Sequence, residues 1–218
     1  MYSGQKKNIA AFYGMITNID DNVGATRQFL NELGVSDNTL FIFTTDNGTA
    51  TGNEVFNAGM RGKKGSEYDG GHRVPFIAHW PAAGWNTKHE CDMLCHAVDV
   101  VPTVVELAGG NQPQALKWDG ISIETLLDPK KDEDVADRML VTDSQRIRDP
   151  IKWRKTAVMS QQWRLVNGSQ LFEIKKDPGQ TEDVAADNPQ QVSKMKAFYD
   201  SWWAELEPTF LQTTEIYL

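Results

Sequence analysis

The chain has 218 residues, 40% hydrophobic and 24% charged, with 30 acidic against 22 basic residues and a net charge of −8. This is an ordinary globular composition, with length for one large domain or a domain and a half. It excludes a basic nucleic-acid stripe, an apolar run near the ~20 residues of a bilayer span, and, with two cysteines, a disulfide framework.

In chain order, residues 1–7 carry lysines with no apolar stretch behind them, so no signal peptide is visible. Ile9, Phe12, Tyr13, Ile16, Ile19, Val23, Leu30 and Leu33 recur at three- and four-residue steps, which predicts one long amphipathic helix. Gly34 is its stop signal. After a turn at Ser36-Asp37-Asn38, residues 39–45 are nearly continuous in apolar and β-branched side chains. Such a run predicts a strand buried on both faces, as in a parallel sheet under helices. Residues 46–72 are a long Gly-rich connection, the kind of loop that is either functional or disordered. A second strand is predicted over 74–79, a helix over 100–107 with Asp99 as N-cap, and a strand over 139–143.

The pattern changes after about residue 150. Short strands are predicted over 156–160, 163–166 and 171–174, with Asn167-Gly168 as a two-residue hairpin turn and Asp177-Pro178-Gly179 as another turn. Asn188-Pro189 opens a helix that carries Met195, Tyr199, Trp202, Trp203 and Leu206. Residues 214–218 read as a strand cut short. The division this suggests is an α/β segment over 1–150 and a small sheet-plus-helix subdomain over 151–218.

Two places have the residue types for chemistry. In Thr44-Thr45-Asp46-Asn47-Gly48, a carboxylate and an amide carbonyl follow a strand, where open α/β sheets bind ligands. Both are hard oxygen donors suited to Ca²⁺ or Mg²⁺. An Asx turn closing the strand explains the same tripeptide. In residues 60–75, glycines flank Lys63 and Lys64. A lysine held there reaches a tetrahedral oxyanion as a point charge; a basic surface loop is the bland alternative. Arg73 reads equally well as a structural ion-pair partner. His89, Cys91, Cys95 and His96 are four potential zinc ligands, but all local rather than in two separated pairs, which favours two buried thiols and two surface or packing histidines near a helix start. Tyr199, Trp202 and Trp203 sit at core spacing on a helix rather than on a carbohydrate platform.

The run from Tyr13-Gly14-Met15-Ile16 through Ile19-Asp20-Asp21-Asn22-Val23-Gly24 to residues 37–48 resembles type I sulfatases. So do Arg61-Gly62-Lys63-Lys64-Gly65 followed by Asp69-Gly70-Gly71-His72-Arg73-Val74-Pro75, and later Val98-Asp99-Val100-Val101-Pro102-Thr103, Asp119-Gly120-Ile121-Ser122, Leu171-Phe172-Glu173-Ile174 and Asp177-Pro178-Gly179-Gln180. The motifs span essentially the whole chain in the family's order.

The resemblance implies an alkaline-phosphatase-like α/β fold with a C-terminal antiparallel sheet and helix. It implies hydrolysis of a sulfuric ester, on a sulfated small molecule or glycan, in the periplasm or outside the cell. Asp46 and Asn47 would be metal ligands for Ca²⁺, or Mg²⁺, and Lys64 would contact the sulfate, with Lys63 as the alternative register. The family nucleophile is a formylglycine made within Cys-x-Pro-x-Arg or Cys-x-Ala-x-Arg, and neither Cys91 nor Cys95 is followed by such a sequence. The resemblance therefore implies a piece of the enzyme that begins in the second half of its catalytic domain, inactive alone. A related phosphohydrolase, such as a phosphonate monoester hydrolase, and a non-catalytic module with the same fold remain open. The oligomeric state is not legible.

Overall fold

The computed structural model describes residues 2–113, 115–128 and 137–210. They fall into two compact units, Met1–Thr45 with Pro75–Ala136, and Asp46–Val74 with Asp137–Leu218. The packing units are thus discontinuous in sequence.

In the first unit, helix α1 spans Lys7–Glu32. It ends at Gly34, whose φ of +70° suits a residue without a Cβ. The Gly34 N–H donates to Asn31 O (3.0 Å) and the Val35 N–H to Leu30 O (3.1 Å), the Schellman pairing that satisfies the last carbonyls. Ile9 is buried in α1, whereas Ile16, Ile19 and the C-cap residue Leu33 of the apolar periodicity are exposed, as are Met15 and Phe29, which lie outside that periodicity. Strand β1, Phe41–Thr44, pairs antiparallel with a strand of the same unit, Phe76–His79, placing Phe41 opposite His79 and Thr44 opposite Phe76. This corrects the expectation of a parallel strand buried on both faces: Phe41 to Phe43 are half-buried and Thr44 is exposed. A continuous apolar run reports how many faces a strand is suited to cover, not the direction of its neighbour.

Helix α2, a single turn over Asp69–His72, belongs to the second unit. The strand Phe76–His79 is β2, and helix α3 covers Val100–Leu107. Asp99 stands at the N-cap position of α3, but its carboxylate does not cap that helix. Instead Asp99 is wholly buried; its Oδ2 accepts from the His96 N–H (2.7 Å) and its Oδ1 from the Ile121 N–H (3.1 Å). Thr103 Oγ1 donates to Asp99 O and accepts from the Ile123 N–H (2.6 and 3.0 Å). Any Cβ on Gly120 would overlap Val98 O. The segments Val98–Thr103 and Asp119–Ser122, twenty residues apart, are therefore stitched into one structural joint just before helix α4, Glu124–Leu127.

The second unit holds a four-stranded antiparallel sheet in the order β3 (Leu140–Asp143), β4 (Thr156–Met159), β5 (Trp163–Val166) and β6 (Gln170–Glu173). The run read as a strand over 139–143 therefore joins this sheet, as β3 against β4. Asn167 and Gly168 have φ of +49° and +67°, the type I′ geometry that matches strand twist. Helix α5, Pro189–Phe210, lies on one face: Val158, Leu165 and Leu171 pack with Met195, Tyr199 and Trp203. The alternate residues Ala157, Val166 and Phe172 form a second cluster, joined by Tyr68. All four residues of β4 are buried because both faces are covered. The stretch 214–218, read as a strand, lies outside the described residues.

Each fully buried Leu contributes about 1.5–3 kcal/mol of apolar burial, and a cavity adds to the loss. Leu165 is wholly buried between two strands and α5. We expect Leu165→Ala to cost about 2–5 kcal/mol, read as a lower urea midpoint; a change below about 1 kcal/mol would mean that this face is not a core.

Candidate anion and metal site

Asp46 is exposed and Asn47 half-buried in a bend two residues beyond β1. Lys64 lies in a β-turn closed by the Ser66 N–H donating to Lys63 O (2.8 Å). Gly65 has φ +81°, as the third position of a type II turn requires. Lys63 and Lys64 are both exposed at this corner.

Backbone hydrogen bonds join the two sequence-predicted places. The Lys64 N–H donates to Thr49 O (3.0 Å), and the Gly48 N–H donates to Gly71 O (2.9 Å). The segment after Asp46-Asn47 and the lysine turn are therefore neighbours in one unit. Glycine makes this approach feasible. A Cβ on Gly48 would overlap Gly70 O, and one on Gly71 would overlap Ser66 O. A Cβ on Gly70 would meet Arg61 O and Gly62 O at 2.6 Å. The paired glycines are a requirement of backbone-on-backbone packing.

The residues between Arg61 and Asp69 are tied to the sheet of the same unit. The Arg61 guanidinium lies 3.9 Å from the centre of the Tyr68 ring, a cation–π contact. Tyr68 meets Phe172 edge-on at 6.2 Å and donates from its hydroxyl to Gln170 Oε1 (2.7 Å). Burial raises the Tyr68 pKa above its ordinary value, with nearby Arg61 opposing the shift. Asn167 Nδ2 donates to Glu67 Oε1 (2.8 Å). Asp69, 1% exposed, receives Arg164 Nε on Oδ1 (3.0 Å). The Asp69 N–H donates to Gln180 Oε1 (2.8 Å) and Arg61 Nη1 to Gln180 O (3.0 Å). Gln180 is fully buried at φ +49°. Its turn is closed by Asp177, whose Oδ2 accepts from the Thr181 and Glu182 N–H groups (2.6 and 2.8 Å). Burial raises the Asp177 pKa, but these donors outweigh it and hold the carboxyl below the usual aspartate value.

The sequence reading did not single out Asp69, Arg164 or Gln180. The available signal was Arg164 itself, a charge among the apolar residues of β5. Arg73, considered as the ion-pair partner, is exposed, and the buried pair in this unit is Arg164–Asp69.

Asp46 and Asn47 have the oxygen chemistry for a hard cation, which takes roughly six to eight such ligands. Among the described residues, no group of three or more His, Cys, Asp and Glu could hold a metal ion. The pair is of the donor type that suits Ca²⁺ or Mg²⁺, and two such oxygens would make up only part of a shell. Of the four potential zinc ligands in residues 89–96, Cys91 and Cys95 are exposed, which corrects the expectation of buried thiols, and three of the four make the following contacts. His96 Nδ1 accepts from the Val98 N–H (3.4 Å), Cys95 Sγ donates to Met93 O (3.5 Å), and His89 Nε2 is 3.2 Å from Leu126 O.

Residues 2–110 match the Sulfatase family, and residues 63–201 match the family described as N-sulphoglucosamine sulphohydrolase, C-terminal. The chain belongs to the sulfatase family. It is 33% identical to human arylsulfatase A over 135 residues, 58% of this chain and 26% of that protein. It resembles the crystal structure of Ps i-CgsB in complex with k-i-k-neocarrahexaose, with TM-score 0.71 and 27% identity, over 91% of this chain and 44% of that one. The phosphonate monoester hydrolase of Agrobacterium radiobacter matches with TM-score 0.61 and 21% identity, over 91% of this chain and 41% of that one, a likeness of fold. The fold is the alkaline-phosphatase-like α/β fold of sulfatases, and the chain spans less than half the length of each of these three relatives.

Gly71→Ala is expected to displace the lysine turn, because the added methyl overlaps Ser66 O. Amide exchange should accelerate at Lys64 and Gly48 while the β4–β5 amides keep their protection. Unchanged exchange at Lys64 would show that the two segments are not interlocked there.

Proposed function

We propose that this chain is the metal- and sulfate-binding part of a sulfatase that hydrolyses a sulfuric ester. The observation that carries the reading is the pair of backbone bonds linking residues 48–49 to Lys64 and Gly71, since it makes neighbours of the segments holding Asp46-Asn47 and Lys64. Asp46 and Asn47 hold Ca²⁺, or Mg²⁺, through their side-chain oxygens. Lys64 neutralises sulfate oxygens as a point charge, without a proton having to move. The backbone of the lysine corner is tied by hydrogen bonds from the Lys64 and Ser66 N–H groups, which limits the reorganisation needed to bring the ammonium to the sulfuryl oxygens. The nucleophile, a formylglycine in the family, supplies the attack on sulfur and is absent from this sequence. By sequence pattern, residues 1–150 belong to the catalytic α/β domain and 151–218 to the C-terminal subdomain.

A sulfated glycan is the favoured substrate, on the strength of the relative whose crystal structure contains k-i-k-neocarrahexaose. No described helix is long and apolar enough to cross a membrane. The phosphonate reading is kept because the fold is shared and a lysine serves either tetrahedral anion. Phosphonate ester competing with sulfate at Lys64 at least tenfold better would favour it.

Two outcomes test the reading. The purified chain should turn over no chromogenic aryl sulfate above a heat-killed control, because it lacks the nucleophile; turnover would sink the assignment of a partial site. In calorimetric titration, Ca²⁺ should bind weakly, in the ~millimolar range of the loosest oxygen sites, and Asp46→Ala should remove that binding. Micromolar affinity would mean that a complete site exists within this chain, and weak binding indifferent to Asp46→Ala would remove Asp46 from it.

A further inference from the structure

We propose that Asp69, Arg164 and Gln180 are positioning residues that fix the Lys64 turn on the C-terminal sheet, so that residues touching no ligand govern the affinity of the anion site. The proposal rests on the reading of Lys64 as the sulfate ligand.

The three residues form one buried joint. Asp69 and Gln180 are 1% and 0% exposed, and Arg164 is 7% exposed. Arg164 stands on the face of β5 turned away from α5, since its neighbours Leu165 and Val166 divide between the two clusters and Arg164 alternates with Leu165 along the strand. Its Nε reaches Asp69 Oδ1, while Nη1 donates to Ser160 O (2.5 Å) and Trp163 O (3.1 Å). The guanidinium is thus oriented by backbone carbonyls of β5 and of the β4–β5 connection as well as by the loop. Gln180 takes the Asp69 N–H from the other side and, through its carbonyl, an N–H of Arg61. Arg61 and Asp69 bracket Lys63 and Lys64 in sequence.

Displacement of Asp69 is passed to the lysine turn because the chain between them has no slack. The Gly70 N–H donates to Arg61 O (2.8 Å), and the Arg73 N–H donates to Asp69 O (2.7 Å). The α-carbons of Gly70 and Gly71 sit against the carbonyls of Arg61, Gly62, Lys63 and Ser66 with no room for a methyl group. A shift of α2 therefore pushes on backbone, which cannot yield by changing rotamer.

The joint is poorly suited to stability alone. A buried ion pair is commonly matched or exceeded by apolar residues of the same volume. Here Asp69 Oδ2 and Gln180 Nε2 are buried with no hydrogen-bond partner among the described residues, a further cost. What directional bonds from Arg164 and Gln180 give, and apolar packing does not, is a defined position for Asp69 in three dimensions.

The test titrates the whole chain with inorganic sulfate and follows the Lys64 amide by NMR, together with amide exchange and the thermal midpoint. Arg164→Met and Gln180→Met should weaken sulfate at Lys64 at least fivefold. They should accelerate exchange at Lys64, Gly70 and Arg73 at least tenfold relative to Val158 and Leu165. Arg164→Lys should recover part of the sulfate affinity, which a loss of packing alone would not predict. Asp69→Asn, nearly isosteric, is the milder variant if a Met variant fails to fold, with the same expectations at reduced size. Lys64→Met should abolish the sulfate response and leave exchange unchanged. Exchange that rises equally in loop and sheet, or sulfate affinity unaltered in variants with faster loop exchange, would overturn the proposal. No sulfate response in the parent chain would instead overturn the assignment of Lys64; the loop-against-sheet exchange ratio then decides whether the joint positions the turn.

Discussion

The second unit depends on close packing of backbone against backbone at Gly48, Gly70 and Gly71. These three positions have no volume for a side chain, and the resulting approach lets the Gly48 N–H reach Gly71 O and the Lys64 N–H reach Thr49 O. Without that approach the acidic bend and the lysine turn would be two separate loops. With it the segments that carry Asp46, Asn47 and Lys64 are neighbours in one unit.

The sheet is the foundation for this frame. One face is sealed by α5 through Val158, Leu165, Leu171, Met195, Tyr199 and Trp203. The other receives Tyr68 against Phe172 and Asp69 against Arg164. The C-terminal segment of the sulfatase family thus has a stated physical task in this chain: it turns a glycine-rich loop, which would be entropically costly to order, into a supported one. Asp177 contributes by closing the turn that presents Gln180.

The first unit is built differently. Its polar joint at Asp99, Thr103 and Gly120 is closed, whereas α1 shows exposed Met15, Ile16, Ile19, Phe29 and Leu33.

Much of this was determined by the sequence alone. The three-to-four-residue spacing fixed α1 and α5, Gly34 fixed where α1 stops, and Asn167-Gly168 fixed a hairpin, because each acts through neighbours along the chain. Asp46, Asn47 and Lys64 were singled out by residue chemistry and family resemblance, and the structure makes neighbours of the segments that carry them, their roles being the proposal above. The direction of β1, the true partners of Asp99 and the membership of β3 were decided by tertiary structure, as was the joint of Asp69, Arg164 and Gln180. Arg164 and Asp69 are 95 residues apart. Local periodicity describes which face a side chain takes, but the identity of what lies across that face depends on packing between distant segments, and no pattern within either segment encodes it.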